Sequence, residues 1–159
     1  MTEHPAITNL QAALEAAERR EEELRTRLES TQGMVDSISE AIYIQDAQGR
    51  FLEVNEGAAR MYGHPKDFFI GQLPVVLSAP GRNDLEALGQ AFGKALAGEP
   101  QALEFWGLRK NGEVFPKDLR FYPGLHRGEQ VVVAVAQDIS VRHQAELTQR
   151  ATYLSLIHI

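Results

Sequence analysis

Cysteine is absent from this 159-residue chain, and that absence removes several kinds of chemistry at once. Disulfide bonds, thiolate metal sites and a cysteine nucleophile are excluded, whatever the compartment. A run of about eighteen apolar residues that would span a bilayer is also missing. The N-terminus, Met1-Thr2-Glu3-His4-Pro5, lacks the basic start and apolar stretch of a secretory signal. We therefore expect a cytoplasmic protein without a membrane partner.

Positive charge is scarce in this sequence. The chain has 16 Lys and Arg residues against 22 Asp and Glu residues, which gives a net charge of -6. Such a chain offers no basic face that would release counterions from phosphates, so direct nucleic-acid binding is disfavoured. The aspartates are dispersed and no histidine-rich spacing accompanies them, so we expect no metal site. The partners that remain are proteins and small molecules, and the sequence indicates no particular cofactor.

Residues 1–32 are predicted to form a helical arm. Apolar or small residues recur there at alternating steps of three and four, which is the spacing of a coiled-coil seam. The seam consists of Ile7, Leu10, Leu14, Ala17, Leu24, Leu28, Val35 and Ile38. It is imperfect, because Glu21 and Thr31 take two core positions and Arg20 would repel Arg25 in a parallel pair. We expect a homodimer through this arm, with a solvated single helix as the alternative and Gly33 as the joint to the next domain.

Residues 33–140 are predicted to form one domain that begins with a β-hairpin. Residues 41–46 are rich in β-branched and aromatic side chains, and the turn at 46–49 leads into a second strand at 50–54. Three further strands are predicted at 101–109, 113–122 and 130–139, the first two joined by the hairpin signal Asn111-Gly112. Residues 131–136 are apolar without alternation, which predicts a central strand buried on both faces.

Helices are predicted between the second and third strands. Asn55 is placed to cap a helix over residues 56–62, and Gly63 is placed to end it. Pro65 opens another helical turn. Asn83 and Glu86 form a capping box before an amphipathic helix that ends near residue 98. The predicted fold class is therefore α+β: a five-stranded antiparallel sheet with short helices on one face, preceded by a long N-terminal helix.

Three stretches in chain order resemble the PAS family, and together they cover roughly residues 30–146. Residues 34–55 are similar to the family's opening helix and first hairpin, and residues 58–71 to its first helical pair. The most specific stretch begins at Arg109-Lys110-Asn111-Gly112 and ends at Asp138-Ile139-Ser140-Val141-Arg142. That end resembles the family's Asp-Ile-Thr plus Arg signature, with Ser140 in the threonine place.

The resemblance implies a PAS fold and a sensory module rather than an enzyme. Such a module binds a small ligand or mediates dimerisation, and relays a signal to an attached effector. Residues 141–153 would begin the helix that leads to a missing C-terminal output domain, such as a histidine kinase or a diguanylate cyclase. The implied signal-relay residues are Asp138, Ile139, Ser140 and Arg142. The alternative is a ligand-free dimerisation or docking module, for example in transcription regulation.

The physical case for Asp138 does not depend on the resemblance. An aspartate and a hydroxyl group at the junction of a buried strand and an emerging helix can cap that helix through its free amide groups. A shift of the sheet would then move the helix. A purely structural cap explains the same residues.

A ligand site in this chain is expected to be apolar. Aromatic and aliphatic residues from several predicted elements suit a cavity that holds an apolar or aromatic ligand. They are Phe68, Leu77, Phe92, Leu96, Trp106 and Phe121. The alternative, a filled core, is favoured because close packing is the usual arrangement of apolar residues.

Two cofactor classes known in PAS relatives find little support here. A flavin photosensor of the light-oxygen-voltage type needs a cysteine near the first helices, and haem-binding relatives commonly use a histidine on the long helix, where this chain has none. The five histidines, His4, His64, His126, His143 and His158, are expected at the surface. A small enzyme with Asp46 or Glu104 as its base is disfavoured, because no second polar group is placed to assist such a base.

Residues 154–159, Leu-Ser-Leu-Ile-His-Ile, resemble the translation of a transposase sequencing adapter. We expect the sequence of the natural protein to be interrupted there. The absence of an effector domain would then come from the sequencing read and would not be a property of the natural protein. The last turn of an amphipathic helix is the alternative.

Overall fold

A computed structural model describes residues 4–157. The helices in that range are α1 (Pro5–Ser37), α2 (Glu56–Tyr62), α3 (Lys66–Phe69), a 3-10 helix (Pro74–Leu77), α4 (Leu85–Leu96) and α5 (Ser140–Ile157). The strands are β1 (Ala41–Gln45), β2 (Phe51–Val54), β3 (Gln101–Leu108), β4 (Val114–His126) and β5 (Glu129–Asp138). Of these described helices, none combines the length and the apolar character that crossing a membrane requires.

The long helix α1 forms a structural unit by itself, and the second unit begins at Ile38. We expected a joint at Gly33, but α1 continues through Gly33 and ends at Ser37. A glycine inside a helix costs only about 1 kcal/mol relative to alanine, so it does not by itself end a long helix. At the other end of the chain, Leu154 to Ile157 are helical, and His158 and Ile159 lie outside the described residues.

The five strands form one antiparallel sheet in the order β2-β1-β5-β4-β3, which confirms the predicted sheet. β5 lies at its centre, as its apolar run predicted. The prediction that β5 is buried on both faces was wrong. Val132, Ala134 and Ala136 are buried on the inner face, whereas Val133 and Val135 are only half-buried on the outer face. α2, α3 and α4 pack on the inner face of the sheet, and the outer face of β5 is partly open to solvent.

The inner face of the sheet and the helices α2, α3 and α4 share one hydrophobic core. Because side chains alternate between the two faces of a strand, the core residues of β1 and β5 recur at every second position. Its large aromatic members are Tyr43, Phe51, Tyr62, Phe69, Phe105, Phe115 and Phe121. The core therefore holds the short helices in fixed positions against the strands.

The residues around α2 adopt the predicted capping arrangement. The side chain of Asn55 accepts a hydrogen bond from Ala58 N, and Gly63 ends the helix with a positive φ of 77°. Asn55 Oδ1 also accepts from Ile42 N at 2.9 Å, and its amide donates to Glu40 O at 3.0 Å. One buried asparagine thus ties the helix to the start of β1.

The predicted capping box before α4 was wrong by one residue. Asp84 is the N-cap, and its carboxylate accepts from Ala87 N at 3.0 Å. The side chain of Asn83 instead pairs with the backbone of Trp106, accepting from N at 2.7 Å and donating to O at 2.8 Å. This pairing fastens the loop before α4 to β3, and sequence spacing does not reveal it.

The close approach of α2 to the segment before β1 requires glycine at position 57. A Cβ atom there would lie 2.2 Å from Glu40 O and 2.7 Å from Ile38 O, both of them backbone atoms. We predict that Gly57→Ala lowers the free energy of unfolding by about 2–3 kcal/mol, because the backbone must move to admit the methyl group. Urea unfolding followed by the fluorescence of Trp106, the single tryptophan, measures it.

Gly93 in α4 provides the control, since a Cβ atom there meets nothing within 4 Å. Gly93→Ala should raise the free energy of unfolding by about 0.5–1 kcal/mol, because alanine restricts the unfolded chain and favours the helix. Equal effects at the two glycines would contradict the close approach at Gly57.

Candidate functional site

A cavity of about 210 Å³ lies between α4 and the inner face of the sheet. The core is therefore not completely filled at this place, although Leu77 and Phe121 also belong to the packed hydrophobic core and Phe92 packs against it. The walls are mostly apolar and come from β1, β2, the 3-10 helix, α4, β3 and β4. They include Tyr43, Gln45, Phe51, Leu77, Leu88, Gly89, Phe92, Phe105, Lys117, Leu119 and Phe121.

Three of the six residues predicted for a cavity line it, namely Leu77, Phe92 and Phe121. The structure does not place Phe68, Leu96 or Trp106 in its walls. Phe68 stacks on His64 with ring centroids 3.8 Å apart, and Leu96 lies with Pro123 and Leu125 at another part of the surface.

Trp106 lies on the outer face of the sheet because its neighbour Phe105 takes the inward position in the alternation of β3. The Arg82 guanidinium packs over the Trp106 ring at 3.9 Å from its centroid. The aromatic character of Trp106 suggested a cavity residue, but the alternation along β3 decides which face of the sheet it occupies.

Lys117 is the polar residue of the cavity that sequence reasoning missed. Its side chain is almost fully buried, at 4% exposure, and its Nζ donates a hydrogen bond to Tyr62 Oη. The amine also lies 4.8 Å from the centroid of the Tyr62 ring and 5.2 Å from that of Phe105. A signal existed in the sequence, because position 117 falls in the same alternation as the inward residues Phe115 and Leu119.

No carboxylate among residues 4–157 forms an ion pair with Lys117. Burial without a counter-charge lowers the pKa of Lys117 from its ordinary value of 10.5 to about 7. Near neutral pH the amine is therefore close to the midpoint of its titration.

Two tyrosine hydroxyl groups complete the polar end of the cavity region. Tyr43 Oη donates to Tyr62 Oη at 3.0 Å, so Tyr62 accepts from both Tyr43 and Lys117. Burial raises the pKa of both phenols well above the ordinary value. Both remain protonated and uncharged at neutral pH, and they cannot supply the counter-charge that Lys117 lacks.

The predicted signal-relay residues meet where β5 passes into α5. Asp138 Oδ1 accepts from Ser140 N at 2.9 Å and from the Ser140 hydroxyl, which caps the start of the helix. Ile139 is buried, and its N–H donates to Pro116 O at 3.1 Å. Arg142 is exposed, with Glu104 3.8 Å away and Glu146 4.0 Å away. The structure brings Asp138, Ile139 and Ser140 together and leaves Arg142 at the surface.

Arg109 joins this exit to the core and was not among the predicted residues. Its NH2 group donates to Asp138 Oδ2 at 2.6 Å, its NH1 group donates to Met61 O, and its guanidinium packs over the Phe115 ring at 3.8 Å. Partial burial opposes the charge on Asp138, but the hydrogen bonds from Arg109 and Ser140 outweigh it and lower the pKa of that carboxyl.

A continuous series of contacts therefore runs from the cavity to α5. Lys117 donates a hydrogen bond to Tyr62, whose ring packs edge-on against that of Phe115 with centroids 5.5 Å apart. The guanidinium of Arg109 packs over the Phe115 ring and forms an ion pair with Asp138. Lys117 and Asp138 also face each other as register partners on β4 and β5. The cavity and the helix exit are thus neighbouring parts of one arrangement.

The remaining candidate residues lie away from the cavity. His126 lies 3.8 Å from Glu53, His143 packs edge-on against Trp106, and neither lines the cavity. The carboxylate of Asp46 accepts from the backbone of its own turn, and Glu104 is exposed, so neither is a base in an apolar pocket. Among residues 4–157 no group of three or more His, Asp or Glu side chains is arranged to hold a metal ion.

We predict that Lys117→Met changes how stability depends on pH. The folded pKa of about 7 lies below the unfolded value, so between pH 7 and about pH 10 the unfolded chain binds more protons and stability rises with pH. Below pH 7 both states are protonated and the effect is constant. From pH 7 to pH 9.5 the wild type should gain on the order of 2–3 kcal/mol relative to Lys117→Met, measured by urea unfolding.

Lys94→Met is the matched control, because Lys94 lies on the exposed side of α4. It should retain the wild-type dependence on pH. A wild-type slope in Lys117→Met would show that the amine is not held in a low-dielectric site.

Comparison with known proteins assigns the family. A PAS domain family model matches residues 39–141, which is more than half of the chain. An uncharacterised protein of Azorhizobium caulinodans is 29% identical over 114 residues, which cover 69% of this chain and 15% of that protein. The chain therefore spans only a small part of this curated relative.

Solved structures share the fold. The PAS domain of an HTR-like protein from Haloarcula marismortui superposes with a TM-score of 0.69 and 20% identity, covering 77% of this chain and 99% of that one. A domain of a sensory box sensor histidine kinase/response regulator from Geobacter sulfurreducens gives 0.55 and 21%, covering 72% and 96%. A PAS domain in complex with ethanol, from a LuxR-family transcriptional regulator of Burkholderia thailandensis, gives 0.56 and 18%, covering 69% and 96%.

With the family match over residues 39–141, the sheet order and the helix exit at Asp138 all in agreement, the chain belongs to the PAS domain family.

Proposed function

We propose that this PAS domain senses a small molecule in the cavity between α4 and the sheet, and relays its binding through α5 to an output domain. The observation that carries the proposal is the series of contacts from Lys117 through Tyr62, Phe115 and Arg109 to Asp138. A cavity wall and a helix cap that share one packed network respond to each other, because packed side chains transmit small displacements.

The relay step acts on the start of α5. A ligand that displaces Lys117 or Tyr62 changes the packing around Arg109. Arg109 donates to one oxygen of Asp138, and the other oxygen accepts from Ser140 N at the start of α5. The cap and the ion pair use different oxygens of one carboxylate, so both depend on its orientation. The ligand thereby changes the position or the fraying of the first turn of α5.

Relatives support both ends of this proposal. The Burkholderia PAS domain was solved with ethanol, which supports a small organic molecule as the signal. The Geobacter domain comes from a sensor histidine kinase, which supports such an output, and a diguanylate cyclase is the other candidate. The Azorhizobium relative is much longer than this chain, which supports further domains beside the PAS domain. The cytoplasmic location stays a prediction.

We predict that filling the cavity abolishes ligand binding. Gly89 lies on α4 in the cavity wall, and a Cβ atom there meets nothing within 4 Å, so Gly89→Leu fits and occupies the space. Benzyl alcohol and sodium benzoate at millimolar concentration are the probes, and binding is followed by NMR chemical-shift changes. Hydrogen exchange of the amides at residues 140–144 should change when a probe binds the wild type, and stay constant in Gly89→Leu.

Gly93→Leu is the matched control, because it makes the same change on the same helix at an open position outside the cavity wall. It should bind the probes as the wild type does. Probe binding without any change in exchange at residues 140–144 would contradict the relay, and unaltered binding in Gly89→Leu would place the ligand elsewhere.

A second candidate function, dimerisation, is favoured by the exposed seam of α1. No residue of α1 is buried within the described chain, and Leu10, Leu14 and Leu28 expose 69%, 59% and 72% of their surface. A row of exposed leucines at heptad spacing is typical of a helix that pairs with another. We propose a second copy of this chain as the partner.

We predict that Leu14→Glu combined with Leu28→Glu shifts the chain from dimer to monomer in sedimentation equilibrium, because charges replace apolar seam residues. Ala12→Glu combined with Thr26→Glu adds the same charge off the seam and should leave the dimer intact. A monomeric wild type at all concentrations, or equal effects of both pairs, would rule out this seam.

A further inference from the structure

The cavity contains a buried cation whose counter-charge the described chain does not provide. Lys117 has three N–H donors when protonated, and the one hydrogen-bond partner found among the described residues is Tyr62 Oη. A buried charge is stabilised by pairing, and an unpaired one is costly. Lys117 is therefore an incomplete site rather than a finished structural contact.

The surroundings of the amine have the form of a binding site for an amphipathic molecule. The remaining walls are largely apolar, with Phe51, Leu88, Phe92 and Leu119 among them. Gln45 is the other buried polar side chain in the wall, and its amide donates to Gly49 O at 2.9 Å. A largely apolar space with a single cationic group in its wall favours a ligand with one anionic group.

We propose that the ligand of this PAS domain is a small organic acid, whose carboxylate pairs with Lys117 while its apolar body lies against Phe92 and Leu88. The proposal rests on the sensory function proposed above and names its ligand class. A carboxylate supplies the missing counter-charge. It also accepts hydrogen bonds from the Lys117 N–H groups that do not donate to Tyr62. Lys117 is also where the series of contacts toward Asp138 begins, so a ligand that pairs with its amine affects that series directly.

The pH dependence of binding follows from the same geometry. Burial lowers the pKa of Lys117 to about 7 in the free protein, and a bound carboxylate would raise it, so binding takes up a proton above pH 7. The other titratable groups that face the amine are Tyr62 and Tyr43, which stay protonated in this range. Asp138 is the register partner of Lys117 on β5, and its carboxylate pairs with Arg109.

The test compares acids with alcohols of the same carbon skeleton. Dissociation constants of sodium benzoate and benzyl alcohol, and of sodium hexanoate and 1-hexanol, are measured by titration calorimetry on the full chain at pH 6.5. The wild type should bind each acid at least about tenfold more tightly than its alcohol, since a hydrogen bond between charged groups is stronger than one to a neutral hydroxyl. Lys117→Met should lose this preference and still bind the alcohols, and Lys94→Met should retain it.

A second measurement does not depend on any variant. In the wild type the affinity for benzoate should fall between pH 7 and pH 9, by up to about tenfold for each pH unit, while the affinity for benzyl alcohol stays constant.

Lys117→Gln keeps a polar side chain without the charge. It replaces Lys117→Met in the comparison of acids with alcohols if Lys117→Met does not fold.

Each outcome separates this inference from the proposed function. Equal binding of acids and alcohols, or an acid preference that survives in Lys117→Met, overturns the organic-acid ligand and leaves a sensor of neutral molecules. Absence of binding by all four probes overturns the cavity as a ligand site, and the proposed function with it.

Discussion

The hydroxyl group of Tyr62 connects Lys117, in the cavity wall, to the aromatic core of the domain. It accepts hydrogen bonds from Tyr43 and from Lys117, while the Tyr62 ring packs edge-on against Phe69 and Phe115. Its backbone carbonyl accepts from Lys110 N at 2.8 Å, in the turn that follows β3. One fully buried residue thus packs in the core, hydrogen-bonds to Lys117 of the cavity wall and supports the β3–β4 hairpin.

This convergence explains why a cap that looks structural is well suited to a signal. Asp138 caps α5 with one oxygen, which any strand-to-helix junction requires. The other oxygen is held by Arg109, which also donates to Met61 O at the end of α2. Capping α5 does not by itself require that Asp138 be connected through Arg109 to α2. The ion pair couples the exit helix to the element that carries Tyr62.

Lys117 accounts for the difference between this cavity and an ordinary packing defect. An apolar residue at position 117 would pack against the same rings without burying a charge, and it would avoid the desolvation that lowers the amine's pKa. Departures from the best local packing are expected where a protein binds or reacts, because function requires groups that folding alone would not select. The ligand class and the relay that we propose both begin at this amine.

The sequence by itself determined the elements whose signals are local. The hairpin at Asn111-Gly112, the cap at Asn55 and the central position of β5 each follow from a few neighbouring residues, because turn geometry and hydrophobic pattern act over short distances. The family resemblance located Asp138 and Ser140 for the same reason.

Only the tertiary structure decided which distant residues meet. Asn83 serves the backbone of Trp106 instead of its own helix, Trp106 points outward, and Arg109 reaches Asp138 across the sheet. The alternation of β4 placed Lys117 on the inner face. Whether a carboxylate reaches its amine depends on which side chains all the surrounding elements bring there. Burial, pairing and empty space depend on the whole packed domain, which is why the cavity and its cation were decided by the fold.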